Sequence, residues 1–252
     1  MLILDFRLYF RVRKCIDRDS LERSLEYTMD KKKPVAPVNE LIVSLPGKEI
    51  KLFITADFEA LITDLEDAEK VPCWAAVWPA AYGLACHIWE HITFRPDEEV
   101  LELGAGMGLP GIVCGLKGAR LTLSDFNSQA LEMARYNARA NGVEPELLLA
   151  DWRSFPEKKH FDLILASDIL YDPKLNPSLG PIFHKNLRPG GRIFIAHPQR
   201  EATFEFIQDW YDASLFTQQI HWETVELEDA LLPRYKIAIQ EFKKQEDSGA
   251  KG

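Results

Sequence analysis

The chain has 252 residues, 46% of them hydrophobic and 27% charged, which is enough apolar content for a substantial core and excludes a disorder-dominated chain. Its 39 acidic and 30 basic side chains leave a formal net charge of -9, so nucleic acid is not expected as its partner, whereas a basic protein segment would be steered towards it. Cys15, Cys73, Cys86 and Cys114 form no CxxC pair, no secretory leader is recognisable and every apolar run is too short to span a bilayer; the expectation is a reducing cytoplasm and no membrane.

Residues 1–30 show no turn chemistry tying them to the rest, and Met1-Leu-Ile-Leu-Asp-Phe-Arg-Leu-Tyr-Phe10 carries charges that a signal peptide's apolar region would exclude. Two readings stay open for them: a start upstream of the true one at Met29, or an amphipathic lid helix. Next, Leu41 to Leu45 and Glu49 to Ile54 flank Pro46-Gly47 and predict a β-hairpin. The acidic segment Asp57 to Lys70 is expected to cross to the main domain. The division is therefore an extension over 1–70 with its hairpin, an α/β domain over 71–245 and a polar tail over 246–252.

From Trp78 onward helix and strand alternate. A helix through Leu84, Ile88 and Ile92 precedes a strand from Glu99 to Leu103, and Pro110 suits the first turn of the next helix. The strand Arg120 to Ser124 follows, then a helix capped by Asn127 that turns Leu131, Ala134 and Ala138 to one side and ends at Asn141-Gly142. After the strand Phe161 to Ala166 come a helix around Leu179 to Leu187, a turn at Pro189-Gly-Gly191, the strand Arg192 to Ala196 and a helix from Glu201 to Tyr211. Two strand-like runs, Phe216 to Val225 and Arg234 to Phe242, close the chain. Alternation of this kind predicts a doubly wound α/β domain.

Chemistry concentrates where Val100-Leu-Glu-Leu-Gly-Ala-Gly-Met-Gly108 steps from a strand into alternating glycines, the entry to a nucleotide-like cofactor. Gly106-Met-Gly-Leu-Pro-Gly111 also matches the dinucleotide fingerprint, so NAD has to be weighed. Against it stands Glu102, whose carboxylate would meet an ammonium group or accept hydrogen bonds but would repel a pyrophosphate. Asp125 ends the next strand and is placed to bond both hydroxyls of a ribose. Asp151-Trp152 offers a polar group and a flat ring for a purine.

With these motifs the stretch Pro72 to Lys243 resembles the class I, seven-β-strand S-adenosylmethionine-dependent methyltransferases. Two segments narrow the resemblance to the group called family 16, mostly protein lysine methyltransferases: Trp74-Ala-Ala-Val-Trp-Pro-Ala80, and Asp168-Ile-Leu-Tyr171 after the strand ending at Ala166. The resemblance implies a Rossmann-like sheet of seven strands closed by a C-terminal antiparallel hairpin. It also implies S-adenosyl-L-methionine as cofactor and S-adenosyl-L-homocysteine as product. Cofactor contacts are implied at Trp78, Glu102, Gly104, Ala105, Gly106, Asp125, Phe126, Asp151, Trp152 and Ser167, and catalytic roles at Asp168 and Tyr171. The expected reaction is direct methyl transfer to a neutral lysine amine of a protein substrate by a monomeric enzyme. Methylation of a small nicotinamide-like amine and a non-catalytic binding role remain the alternatives.

His87-Ile-Trp-Glu-His91 matches H-x-x-E-H, a zinc-peptidase pattern. Read as a helix, the segment is expected to turn His87, Glu90 and His91 to solvent, opposite Leu84, Ile88 and Ile92. The local sequence offers no third ligand, and no metal is expected.

Overall fold

The computed structural model describes residues 38–56, 61, 72–227 and 234–246. The expectations for the N-terminal segment before Val38, for most of the crossing from Asp57 to Lys70 and for the tail after Glu246 lie outside the described residues. Strands β1 (Val38–Leu45) and β2 (Lys48–Thr55) pair antiparallel about the Pro46-Gly47 turn. There follow α1 (Pro79–His91), β3 (Glu99–Leu103), α2 (Leu109–Leu116), β4 (Arg120–Asp125), α3 (Ser128–Ala140) and β5 (Glu146–Leu149). The second half comprises β6 (Phe161–Ser167), α4 (Leu179–Lys185), β7 (Leu187–His197), α5 (Glu201–Trp210), β8 (Phe216–Glu226) and β9 (Arg234–Lys244).

Strands β3 to β9 form one sheet of seven in the order β5-β4-β3-β6-β7-β9-β8. The first five run parallel, while β9 is antiparallel to both β7 and β8, which makes the C-terminal hairpin. Because strand side chains alternate, Val100, Leu163, Leu165 and Phe194 face one core with α1, α2 and α3, and Leu101, Leu103, Ile164 and Ile195 face the other with α4 and α5. The strand order reverses beside β3, and at such a point the C-terminal strand ends leave a crevice.

The expected turn at Pro189-Gly-Gly191 is instead absorbed into β7. Phe161 pairs with Leu187 and Leu163 already with Arg192, so the extra residues bulge out of the strand, with Gly190 at φ 74°. A bulge keeps the ladder running on both sides of a segment whose proline cannot donate to it.

The N-terminal hairpin shares the main core. Val43, Leu45, Ile50 and Leu52 are buried in the same cluster as Leu84 and Ile112. Two asparagines, one in α3 and one at its C-cap, fasten it: Asn137 Oδ1 accepts the Phe53 N–H at 2.7 Å, and Asn141 bonds both the N–H and the carbonyl of Lys51 at 3.0 and 2.6 Å. Asn137 also donates to the Met107 carbonyl at 3.2 Å, so one fully buried amide joins the hairpin to the glycine loop. Asn137→Ala would leave the buried Phe53 N–H without a partner, at a cost of about 1–3 kcal/mol. Chemical denaturation should show that loss, and hydrogen exchange at Phe53 should accelerate more than at β6.

Candidate active site

Strand parity decides where Glu102 points. It shares a face with Val100 and is 1% exposed beneath α2, where it accepts the Gly111 N–H at 3.0 Å. Gly111 has to be glycine there, since a Cβ would lie 2.5 Å from the carboxylate. Burial, above all, raises the Glu102 carboxyl to about 8; the Gly111 bond lowers it and Asp125 raises it. Glu102 therefore stands under the glycine loop, apart from the residues that line the cavity above, and the direct cofactor contact expected from the sequence becomes a support for the loop that would make it.

Above it lies a cavity of about 340 Å³ at the C-terminal ends of β3, β4 and β6. Its floor is Gly104, Ala105 and Gly106, with the two glycines at positive φ, 58° and 51°. At Gly106 the chain must also approach closely: an added Cβ would meet the Trp74 carbonyl at 3.2 Å, so the Trp74 segment rests on the loop because no side chain intervenes. Trp78 caps α1 and lines the same cavity, and its indole N–H donates to the Cys73 carbonyl at 2.9 Å.

One wall suits a nucleoside. Buried Asp125 accepts the Gly106 N–H at 3.1 Å and the Asn127 N–H at 2.9 Å, and its carboxyl is held above the usual range by burial. Beside it, Phe126 presents an unusually exposed ring, 56% accessible. Asp151 and Trp152 complete this wall. Arg153 grips the Asp151 carboxylate and lowers its pKa, and Trp152 packs on the second core. The amides of the first and last glycines of the dinucleotide fingerprint are thus both donated to acid side chains, Gly106 to Asp125 and Gly111 to Glu102. A pyrophosphate would find those donors taken and the Asp125 acid beside it, whereas an uncharged nucleoside bearing an amino acid fits.

The opposite wall is Ser167, Asp168 and Tyr171, where β6 ends. Asp168 adopts φ 54°, a region that aspartate enters more readily than most side chains, and its N–H is held by the Ala196 carbonyl at 2.8 Å. Its carboxylate receives a two-pronged bond from Arg200, Nε at 2.5 Å and Nη2 at 2.9 Å. Sequence reasoning missed Arg200, which lies 32 residues away at the entry to α5 and carries no local signal. Cys73 also lines this end; burial, chiefly, pushes its thiol up to about 11, so it stays protonated. Burial, followed by the charges of Cys73, Asp125, Asp172 and Asp168, raises the Tyr171 phenol well above its usual range, leaving it a neutral donor.

The H-x-x-E-H segment departs from expectation. His87 follows Leu84 by three residues, which on a helix makes them neighbours on the same side, and it is buried at 3% exposure between α1 and the sheet. Its Nδ1 lies 3.2 Å from Glu223 Oε1 on β8. Burial first, then His221, His91 and Arg192, hold its imidazole down to about 4. Of the motif's three polar residues, Glu90 and His91 are exposed and His87 is not.

With this geometry in view, the lysine methyltransferase family profile matches residues 56–211. The chain belongs to that family. Among curated relatives it is 38% identical over 105 residues to "Histone-arginine methyltransferase METTL23" of Xenopus laevis, covering 39% of this chain and 45% of the relative. It is 32% identical over 165 residues to "EEF1A lysine methyltransferase 3" of Mus musculus, covering 62% and 67% respectively. The chain spans about half the length of the first curated relatives it matches. Among solved structures, the Pyrococcus abyssi tRNA (uracil-54, C5)-methyltransferase in complex with S-adenosyl-L-homocysteine aligns with a TM-score of 0.53 at 17% identity, over 80% of this chain and 44% of that one. That likeness concerns the fold alone.

The raised Glu102 pKa has a thermodynamic consequence. The folded protein keeps this proton up to about pH 8, whereas an ordinary glutamate, as in the unfolded chain, releases it near 4.5. Stability from this group is therefore complete below the unfolded value and is lost as pH rises through the folded one. Denaturation midpoints measured from pH 4 to 9 should show wild type losing stability relative to Glu102→Gln as pH rises through this window; parallel curves would refute the buried proton.

Proposed function

We propose that this protein is an S-adenosylmethionine-dependent N-methyltransferase that acts on lysine side chains of a protein. The observation carrying the proposal is that one cavity joins a nucleoside wall, Asp125, Phe126, Asp151 and Trp152, to an acid-and-phenol wall, Asp168 and Tyr171, across a side-chain-free glycine floor. Gly104 to Gly106, Trp78 and Ser167 would hold the cofactor between them. S-adenosylmethionine, when bound, supplies a methyl group activated as a sulfonium, so Cys73 is not needed as a nucleophile and can stay protonated.

The protein's own task is to position a neutral amine. Entering among Trp74, Trp78 and Tyr171, a lysine loses water, which penalises its charged form and lowers its pKa. A carboxylate has about four lone-pair sites, and Arg200 uses two of those on Asp168. The remaining two accept amine hydrogens and turn the nitrogen lone pair towards the methyl. Arg200 thus fixes the carboxylate while leaving it able to receive single N–H donors. An arginine acceptor is the second reading, favoured by the 38% identity to a histone-arginine methyltransferase; its planar fork would compete for the positions that Arg200 holds.

The net charge of -9 supports a substrate lysine in a basic segment and argues against nucleic acid. The free thiols of Cys73, Cys86 and Cys114 support a reducing, cytoplasmic setting. No helix among the described residues is long and apolar enough to cross a membrane. A monomer completes the reading.

Asp168→Asn keeps the shape of the carboxylate but not its charge. Calorimetry should give near-wild-type affinity for S-adenosyl-L-homocysteine, with no NAD binding in either protein. Methyl transfer from labelled cofactor to a cell extract should fall about 10²-fold or more, as when a positioned electrostatic partner is removed. Peptide mapping should place the label on lysine; label on arginine selects the second reading, and label confined to small amines removes the protein substrate.

A further inference from the structure

A second constellation lies away from the cavity, between α1 and β8. His87 and His91 are one helical turn apart and point the same way. On β8, alternation turns His221, Glu223 and Val225 towards α1, while Ile220 and Trp222 face outward with 46% and 43% exposure. The nitrogen, nitrogen and oxygen atoms that His87, His91 and Glu223 can offer all lie within 4.8 Å of one another, and one pair, His87 Nδ1 and Glu223 Oε1, is already at 3.2 Å. The ring of His221 packs 4.6 Å from that of His87, and its Nε2 meets Glu241 at 3.1 Å. None of these residues lines the cavity.

We propose that His87, His91 and Glu223 form a divalent-metal site, best suited to zinc, that fastens β8 to α1. Two imidazoles, which are borderline ligands, and one carboxylate oxygen make a set of the kind zinc takes, at about 2.0–2.2 Å from the ion. Tetrahedral geometry at those lengths separates ligand atoms by roughly 3.4 Å. The His87–Glu223 pair meets this as it stands, and His91, exposed at the C-terminal turn of α1, needs a side-chain rotation to close on it. Water takes the fourth position. Buried His87 anchors the ion, the exposed side of His91 admits it, and the Glu241 bond to His221 orders the tilted ring beside it.

The role is structural. β8 is an edge strand held in the sheet by β9 alone, and an ion bound to its Glu223 ties it to a helix whose first turn carries the Trp78 wall of the cavity. A plain hydrogen bond from His87 to Glu223 would need neither His91 nor a metal, which makes His91 the discriminating residue.

The test uses the full chain without a histidine tag, stripped with a chelator and titrated with zinc in a calorimeter. One equivalent should bind at low-micromolar concentration or tighter, and saturation should raise the melting temperature. His91→Ala, at an exposed position, and Glu223→Gln, which preserves shape, should each weaken binding at least 10-fold and abolish the thermal shift. His160→Ala, outside the cluster, should change neither. Wild-type protein that takes up no stoichiometric zinc, or variants that bind it as wild type does, would overturn the site.

Discussion

Everything at the cavity depends on backbone lying where side chains would otherwise stand. The Trp74 segment reaches the loop only because Gly106 has no Cβ, and α2 reaches β3 only because Gly111 has none. Two acid side chains then take the amides thus brought close, Glu102 that of Gly111 and Asp125 that of Gly106. The glycines set the shape and the acids set the electrostatics. Together they turn a loop that reads as a phosphate cradle into a floor for an uncharged nucleoside. The same loop is braced from behind by Asn137, so the N-terminal hairpin, the loop and α3 form one hydrogen-bonded unit.

At the far wall the governing interaction is the paired bond between Asp168 and Arg200. A carboxylate that lies almost wholly out of water is costly unless it is paired, and Arg200 supplies the pair from the N-cap of α5, outside the segment after β6 that carries the acid-x-x-aromatic pattern. It holds the acid in a fixed orientation with lone pairs to spare. Neighbouring Cys73 and Tyr171 are kept in their neutral forms by burial, and the Asp168–Arg200 pair lies beside them at this end of the cavity.

The strands and their order were legible because at a strand end an apolar run meets a polar side chain. The places of Asp125 and Ser167 at the ends of β4 and β6, with Asp168 following, were legible this way, as was the Asn127 cap, whose Oδ1 accepts the Gln129 N–H at 2.8 Å. Glu102 was legible as important, but its parity with Val100 already places it under the sheet rather than at its rim. His87 was misread for a related reason: a three-residue step along a helix joins neighbours, so a polar side chain beside Leu84 is buried once β8 covers it. The Arg200 pairing and the Glu223 approach were not legible at all. Each joins residues distant in the chain through the sheet order, 32 residues apart in one case and 136 in the other. The bulge at Pro189 shows the opposite limit, in which a strong local turn signal yields to the ladder on either side.

The most direct test is a crystal structure of the protein with S-adenosyl-L-homocysteine. The account predicts the adenosine against Asp125, Phe126 and Trp152, and the sulfur beyond Gly104 to Gly106, facing Asp168 and Tyr171 with the Arg200 bond intact. A ligand whose sulfur lies far from Asp168, or one that enters only after the Trp74 segment has left the glycine loop, would contradict it.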